Sequence, residues 1–333
     1  MGGRLPGFSE RKGPPKGGRH IAVADDTLQG RYNGGMRVVA FLLAATVALP
    51  GSASAWGFEA HKFITDRMVE LLPPELKPLF EKRRAFVIER SVDPDLWRVV
   101  GWEPEPPNHF LDIDYPAFGP YPFDALPRDY DAAVQKFGRD VVHTQGLLPW
   151  RTAEFYGNLQ REFESLKRQP APAYAIDNIV LFAAVLAHYV SDGHVPLHSV
   201  VNYNGQVTRQ DGLHARWESE LFERNRRRLT IAPAAAKAIA NPRDFMFDVL
   251  LASNRASGNV LESDRKAAEG REFYDDGYFD TFATGTLPVL ERRLNDSITA
   301  VASMIVGAWE QAGKPVIPTE PVRTPRRIRR PKQ

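Results

Sequence analysis

The chain has 333 residues, of which 43% are hydrophobic and 25% charged, a composition typical of a folded protein with a sizeable core. It contains no cysteine, which excludes disulfides and thiolate metal sites, so any metal must bind histidine, carboxylate or backbone groups. The formal net charge is +2, but the excess of Lys and Arg lies near the two ends and residues 56–320 are mildly acidic, which argues against a broad basic surface for nucleic acid.

The N-terminal region has the features of a leader. Residues 1–35 show no apolar periodicity, and we expect them to be disordered and, because Met36 is the better start, not translated. Residues 36–55 combine a basic residue, a short apolar run and an Ala-Ser-Ala ending, which predicts a cleaved signal peptide and a periplasmic or secreted protein. A membrane anchor is the alternative. Cleavage after Ala55 makes Trp56 the mature N-terminus, whose amine and carbonyl can together chelate a metal.

Residues 56–312 are predicted to form one all-α domain of many helices. Apolar residues recur there with helical spacing, and no strand-like alternation is found. The predicted helical segments run from about residue 57 to 72, over 75–90, in parts of 127–169, and over 174–193, 213–229, 233–253, 258–269 and 285–312. Residues 91–98 are expected to form a proline-interrupted turn, and residues 313–333 a basic, disordered tail.

The end of the apolar helix predicted over 174–193 carries the residues best suited to bind a metal or to catalyse a reaction. His188 and Asp192 are four positions apart, which places them one turn apart on one helix face. Pro196 then ends the helix, so that His198 can return toward the same point. Imidazole and carboxylate groups that converge at the end of a buried helix are what a metal site or an acid–base site requires.

A second pair with the same spacing, His214 and Glu218, lies on the next predicted ligand-bearing helix. His61 stands at the start of the first helix, and His109 lies in a proline-rich, rigid loop that follows Asp95. Neutral imidazoles and carboxylates without thiols favour zinc over other metals. Closely spaced metal ions can clamp both the attacking and the leaving oxygen of a phosphoester.

Several of these residues also have simpler interpretations. Asp93 and Asp95 can each serve as a helix cap or turn residue, and Asp93 is the alternative to Asp95 as a ligand. Trp56 and His61, taken alone, fit an ordinary buried tryptophan and a histidine at a helix start. His194 breaks the spacing pattern, and we expect it to lie outside the metal-binding set.

Five motifs follow one another in a fixed order: WG-x3-H from Trp56, Pro-Asp at 94–95, HF-x-D at 109–112, H-x3-D-x5-H at 188–198, and H-x3-E at 214–218. In these motifs the chain resembles the zinc-dependent phospholipase C / S1–P1 nuclease superfamily, over essentially residues 56–312. The resemblance implies an all-α domain of the phospholipase C/P1 nuclease type with a cluster of three zinc ions.

The resemblance also implies how the ligands are shared among the ions. The implied ligands are Asp95, His109, His188 and Asp192 for the first zinc; His198, His214 and Glu218 for the second; and Trp56, His61 and the bridging Asp192 for the third. Asp95 is in addition the candidate catalytic residue, which orients or deprotonates the water for attack on phosphorus as a metal-bound hydroxide.

Phe110 and Asp112 match positions that, in nuclease relatives, stack on a base and hydrogen-bond to it, so the resemblance assigns them to substrate binding. A ring stacked on a base contributes about 1–3 kcal/mol. The alternative is that Phe110 belongs to the core and Asp112 supports a ligand histidine. Trp217 is nuclease-like, whereas Glu218 is the residue expected of the phospholipases.

Three functions remain open on the sequence. The first is a secreted, S1/P1 nuclease-like zinc phosphodiesterase that cleaves single-stranded nucleic acid or nucleotide 3′-phosphates. The second is a zinc-dependent phospholipase C, for which an exposed apolar rim around the cluster is expected. The third is a zinc-binding protein without turnover. We expect a monomer with no protein partner.

Overall fold

A computed structural model of the chain describes residues 57–168 and 171–318. These residues belong to one compact unit, and they form helices and no strands, which confirms the predicted all-α class. The predicted leader, Trp56 and most of the basic tail lie outside the described residues.

The α-helices are α1 (Phe58–Met68), α2 (Lys77–Lys82), α3 (Arg84–Arg90), α4 (Asp93–Val99), α5 (Tyr130–Phe137), α6 (Arg139–Gln145), α7 (Leu148–Ser165), α8 (Ala175–Gly193), α9 (Leu213–Ala215), α10 (Phe222–Asn225), α11 (Pro242–Ala268) and α12 (Asp276–Gln311). Between them lie 3₁₀ turns at Val69–Leu71, Pro106–His109, Pro116–Phe118 and Pro196–Ser199, and a π-helical turn at Arg216–Leu221, which joins α9 to α10.

The apolar helix α8 is the central element of the core. Every residue from Ala183 to Gly193 is buried, because α7 packs along this helix and α1, α3, α11 and α12 also contact it. Its length and composition alone would suit a membrane span, but 72% of its most apolar window is buried inside the protein, as in a core helix. The polar residues near its C-terminal end are therefore enclosed by other helices.

The C-terminal end of α8 is shaped by a glycine and a proline. A Cβ atom on Gly193 would lie 2.3 Å from the Met246 side chain, so glycine lets α11 approach this turn closely. The Val195 N–H donates to the Asp192 carbonyl, and Pro196 then opens a 3₁₀ turn. The chain thereby reverses and brings His198 back beside the helix that carries Asp192.

Two predictions for residues 75–98 differ from the structure. The helix predicted over 75–90 is divided at Arg83 into α2 and α3. The turn predicted over 91–98 is wrong, since these residues contain α4, with Pro94 in its first turn. Proline is tolerated there because the first N–H groups of a helix have no partner within it.

The two helices predicted over 233–253 and 258–269 are also wrong, since α11 is one continuous helix over Pro242–Ala268. The Asn241 side chain caps it by accepting a hydrogen bond from the Asp244 N–H. The alanine-rich segment before it is not helical, because its backbone is held by α12, as in the hydrogen bond from the Lys237 N–H to Ser303 Oγ. Side chains on α12 thus replace the hydrogen bonds of a helix.

Candidate metal centre

The site begins with His188 and Asp192, which lie one turn apart on the enclosed end of α8. His188 Nδ1 is 2.8 Å from the Ser91 carbonyl oxygen, to which it donates, so the proton is assigned to this nitrogen. The other nitrogen, Nε2, faces inward and lies 3.3 Å from Asp192 Oδ2. Both side chains are fully buried. The predicted spacing thus yields an inward imidazole lone pair beside a carboxylate.

Asp192 lies at the centre of four imidazoles. Its Oδ2 is 2.9 Å from His109 Nδ1 and 3.3 Å from His188 Nε2. Its Oδ1 is 3.4 Å from His61 Nε2 and 3.7 Å from His198 Nδ1. This carboxylate is therefore placed to bridge neighbouring positions, as the predicted double role of Asp192 requires.

His109 reaches the centre from the 3₁₀ turn Pro106–His109. Its Nδ1 points inward, 3.1 Å from His188 Nε2. The following residues are held in place by the backbone: the Leu111 N–H donates to the His198 carbonyl, and Gly146 packs directly on Phe110. A Cβ on Gly146 would lie 2.1 Å from the Phe110 carbonyl oxygen, so only glycine fits beside this loop.

The structure distinguishes between the two candidate acids of α4. Asp95 is fully buried, and its Oδ1 lies 3.8 Å from His109 Nδ1 and 3.3 Å from the Arg98 guanidinium. Asp93 instead lies beside Arg90, whose guanidinium nitrogen is 3.3 Å from its carboxylate. Asp95 therefore belongs to the cluster, and Asp93 takes part in an ion pair near the surface.

A second group of donors is formed by His198, His214 and Glu218. His198 Nδ1 donates to the His109 carbonyl at 2.7 Å, which leaves Nε2 facing His214 Nε2 at 2.9 Å. Glu218 Oε2 is 3.0 Å from His214 Nε2 and 3.7 Å from His198 Nε2. Because Glu218 lies in the π-helical turn Arg216–Leu221, the local helix is wider than an α-helix there, a feature common at functional sites.

His61 completes the far side of the cluster. It is fully buried in α1, and its ring stacks on that of His188 with centroids 3.9 Å apart. Trp56, the remaining predicted ligand, lies outside the described residues.

These side chains form three groups whose nitrogen and oxygen atoms lie within 4.8 Å of one another: His61, His188 and Asp192; Asp95, His109 and His188; and His198, His214 and Glu218. Neither nitrogen of His61, nor Asp192 Oδ1, nor either carboxylate oxygen of Glu218 makes a hydrogen bond within the described residues, although all are buried. Buried polar atoms without partners are costly unless an ion or water satisfies them. The donor set, imidazole and carboxylate without thiolate, fits a divalent metal such as zinc.

Burial and the close packing of charged groups shift the pKa values of two residues of the cluster. Burial raises the pKa of Asp192, but the charges of His188 and His198 outweigh burial and hold that pKa well below its usual value. Burial lowers the pKa of His109, but hydrogen bonds to Asp192 and Glu105 outweigh burial and raise it to about 9. A cation that binds at His109 Nδ1 therefore competes with a proton for that nitrogen.

Phe110 and Asp112 lie on the loop that follows His109. Phe110 is partly exposed, whereas Asp112 is buried and its Oδ1 has no hydrogen-bond partner among the described residues. Burial, together with the charge of Asp114, raises the pKa of Asp112 to about 8. His194 is not among the three groups, and its Nδ1 donates a hydrogen bond to the Val190 carbonyl.

Glu105 is a residue of the centre that the sequence did not reveal. Its carboxylate is fully buried, with Oε1 3.4 Å from His109 Nε2. The only signal in the sequence is that Glu105 and His109 are four positions apart, the same spacing as in the two ligand pairs. This signal is weak because the two residues lie in a proline-rich loop, where a spacing of four does not imply a shared face.

No protein-family model and no curated protein matches the chain. What the centre does must therefore be inferred from its geometry and its donor chemistry.

Proposed function

We propose that the centre binds zinc and that the protein is a zinc-dependent phosphoester hydrolase. The observation that carries the proposal is the set of three overlapping donor groups arranged around the buried Asp192. Three ions are proposed, the third completed by the amine and carbonyl of Trp56, in accordance with the resemblance of the motifs. A chain that enters the periplasm or is secreted, with cleavage after Ala55, would expose that amine.

Zinc ions would supply Lewis acidity, which acidifies water and neutralises the charge that develops on a phosphoester. The residues of the chain provide the remaining functions. Asp95, beside the inward face of His109, is placed to orient a water molecule and to accept its proton at a carboxylate oxygen. The enclosing helices exclude bulk water from Asp192 and His188, which strengthens the electrostatic interactions in the centre.

Nuclease-like activity on single-stranded nucleic acid or nucleotide 3′-phosphates is the first candidate. It is supported by the partly exposed ring of Phe110 next to Asp112. With its pKa raised to about 8, the Asp112 carboxyl stays protonated at neutral pH and can donate a hydrogen bond to an acceptor on a base. Tyr203, which is half exposed and has its ring centroid 6.0 Å from that of His214, offers a second aromatic surface near the cluster.

Phospholipase C activity is the second candidate, and a different observation favours it. Beginning one residue after Asp95, the side chains of Leu96, Val99, Val100 and Trp102 are all exposed, Val100 to 80%. Exposed apolar side chains next to a catalytic centre suit a lipid surface. This run is the kind of apolar rim expected of a lipase.

The two candidates are separated by one experiment on protein that begins at Trp56. Zinc per chain is counted, and hydrolysis of single-stranded DNA or RNA is measured beside hydrolysis of phosphatidylcholine vesicles. A double variant, Val99→Ser with Val100→Ser, should lose only lipid cleavage, whereas Phe110→Ala should lose only nucleic-acid cleavage.

About three zincs with nucleic-acid cleavage would support the nuclease, and three zincs with lipid cleavage alone would support the phospholipase. Zinc binding without turnover of either substrate would leave a non-catalytic zinc protein as the better explanation. A chain that binds no zinc would contradict the proposal.

A further inference from the structure

The carboxylate of Glu105 is held from several sides in a fully buried position. Tyr189 on α8 donates its hydroxyl proton to Oε1, and the Asn108 side-chain amide donates to Oε2 at 3.1 Å. The Arg151 guanidinium on α7 lies 3.5 Å from Oε2. Burial of a carboxylate is costly unless charge and hydrogen bonds compensate for it, and here both are provided. The position of this carboxylate is therefore fixed by two core helices.

His109 stands between Glu105 and the metal centre. Its Nε2 lies 3.4 Å from Glu105 Oε1, and its Nδ1 lies 2.9 Å from Asp192 Oδ2. Within the described residues, this buried Nε2 makes no hydrogen bond, and the Glu105 carboxylate is its ion-pair partner. In a neutral imidazole one nitrogen carries the proton and the other offers the lone pair. The carboxylate on the outer side therefore decides which nitrogen faces the centre as a ligand.

The other inward-facing rings are oriented differently. His188 and His198 present Nε2 to the centre, because their Nδ1 atoms donate to the backbone carbonyls of Ser91 and His109. His109 has the opposite orientation, with Nδ1 inward and a charged side chain, rather than a carbonyl, on its outer nitrogen. A carboxylate partner increases the basicity of a ligand imidazole more than a neutral carbonyl does.

We propose that Glu105 is a positioning residue: it holds the proton of His109 on Nε2 and so makes Nδ1 the metal-binding atom. This inference rests on the proposed binding of zinc by the cluster. Glu105 increases the affinity for the ion bound by His109. It leaves the affinity for the ion at His198, His214 and Glu218 unchanged, because it contacts none of those three side chains.

The test compares zinc binding by the wild type, Glu105→Gln and Glu154→Gln, all in the full chain. A glutamine side chain has almost the same volume as glutamate, but one of the two carboxylate oxygens becomes an NH2 group, which is a donor. In one orientation this group faces His109, and in the other it faces the donors of Asn108 and Arg151, so one of these contacts is lost. Glu154 is a matched control, because it also pairs with Arg151, at 2.8 Å, but is exposed. Titration with zinc against a competing chelator should show one ion bound about 10–100-fold more weakly in Glu105→Gln only.

A second readout follows the proton directly. In ¹⁵N-histidine spectra of the zinc-loaded wild type, His109 should be protonated at Nε2 and unprotonated at Nδ1, with a downfield Nε2 proton. In Glu105→Gln, the resonance of that proton should move upfield, or the proton should exchange rapidly with water. If Glu105→Gln does not fold, Glu105→Asp serves instead, because it keeps the charge but draws the carboxylate away from His109.

The outcomes separate the inference from the proposed function. Wild-type affinity for every ion in Glu105→Gln, with an unchanged Nε2 signal, would overturn the role of Glu105 while leaving zinc-dependent hydrolysis intact. Equal weakening of all ions would also overturn it, since this would mean that Glu105 only supports the fold. A wild-type protein that binds no zinc would overturn the proposed function, and the inference with it.

Discussion

Replacing Asp192 by asparagine should affect the centre more than any other single change. The variant keeps the volume of the side chain but removes the negative charge that lies 2.9–3.7 Å from four imidazoles. Loss of one partner from a buried charged pair costs about 3–5 kcal/mol. Because a folded domain is stabilised by only about 5–15 kcal/mol, this loss alone should lower the melting temperature strongly, even without metal.

The effect of Asp192→Asn on metal binding should be larger still. Loss of a residue that only supports a ligand costs about 10–100-fold in affinity, so loss of a bridging ligand should cost at least about 100-fold at each of two ions. Zinc content and chelator competition would be measured in parallel with thermal unfolding. Asp177→Asn is the matched control, because Asp177 lies on the same helix α8, is exposed, and pairs with Arg83 at the surface.

Wild-type zinc content in purified Asp192→Asn would refute the assignment of this carboxylate as the bridge. A fall in stability with unchanged zinc affinity would assign Asp192 a structural role in balancing the charge of the histidines.

Three further outcomes are expected. Asp95→Asn should slow phosphoester hydrolysis about 100-fold or more, while Asp93→Asn, which removes the ion pair with Arg90, should lower the rate far less; equal losses in steady-state assays would contradict the placement of Asp95. Removal of metal by a chelator should lower the melting temperature and zinc should restore it, and an unchanged melting curve would argue against coupling of metal to folding. The pKa of the Asp112 carboxyl is raised from 3.8 to about 8, so its contribution to stability is complete below pH 3.8 and is lost as the pH rises through 8. Urea unfolding at pH 5 and pH 9 should therefore show that the wild type loses on the order of a few kcal/mol relative to Asp112→Asn, whereas parallel pH profiles would refute the pKa assignment.

The two ligand pairs with helical spacing were the parts of the centre that the sequence could predict. His188 and Asp192, and likewise His214 and Glu218, are four apart, and helical geometry places each pair on one face without knowledge of the rest of the fold. The reversal at Pro196 could also be predicted, since proline cannot continue the preceding helix. These local rules account for the two ligand pairs and for the return of His198.

The features that depend on tertiary contacts could not be predicted in this way. The role of Glu105 depends on Tyr189 and Arg151, which are distant in sequence and reach the same carboxylate only after α7 and α8 have packed. The alanine-rich segment before Asn241 has a high helical propensity, yet hydrogen bonds to α12 keep it from forming a helix. In both cases a long-range contact outweighs the local preference of the chain.

The wide separation of the ligands in sequence has a consequence for how the chain becomes stable. His109 and Asp192 are 83 positions apart, and an ion held between them would act as a tether across that length. A permanent cross-link of this span reduces the entropy of the unfolded chain by an amount equivalent to about 4.5 kcal/mol. In a protein without disulfides, such a cross-link would form in the compartment where the chain first meets zinc. Metal supply, rather than the redox state of the compartment, would then decide where the chain completes its folding.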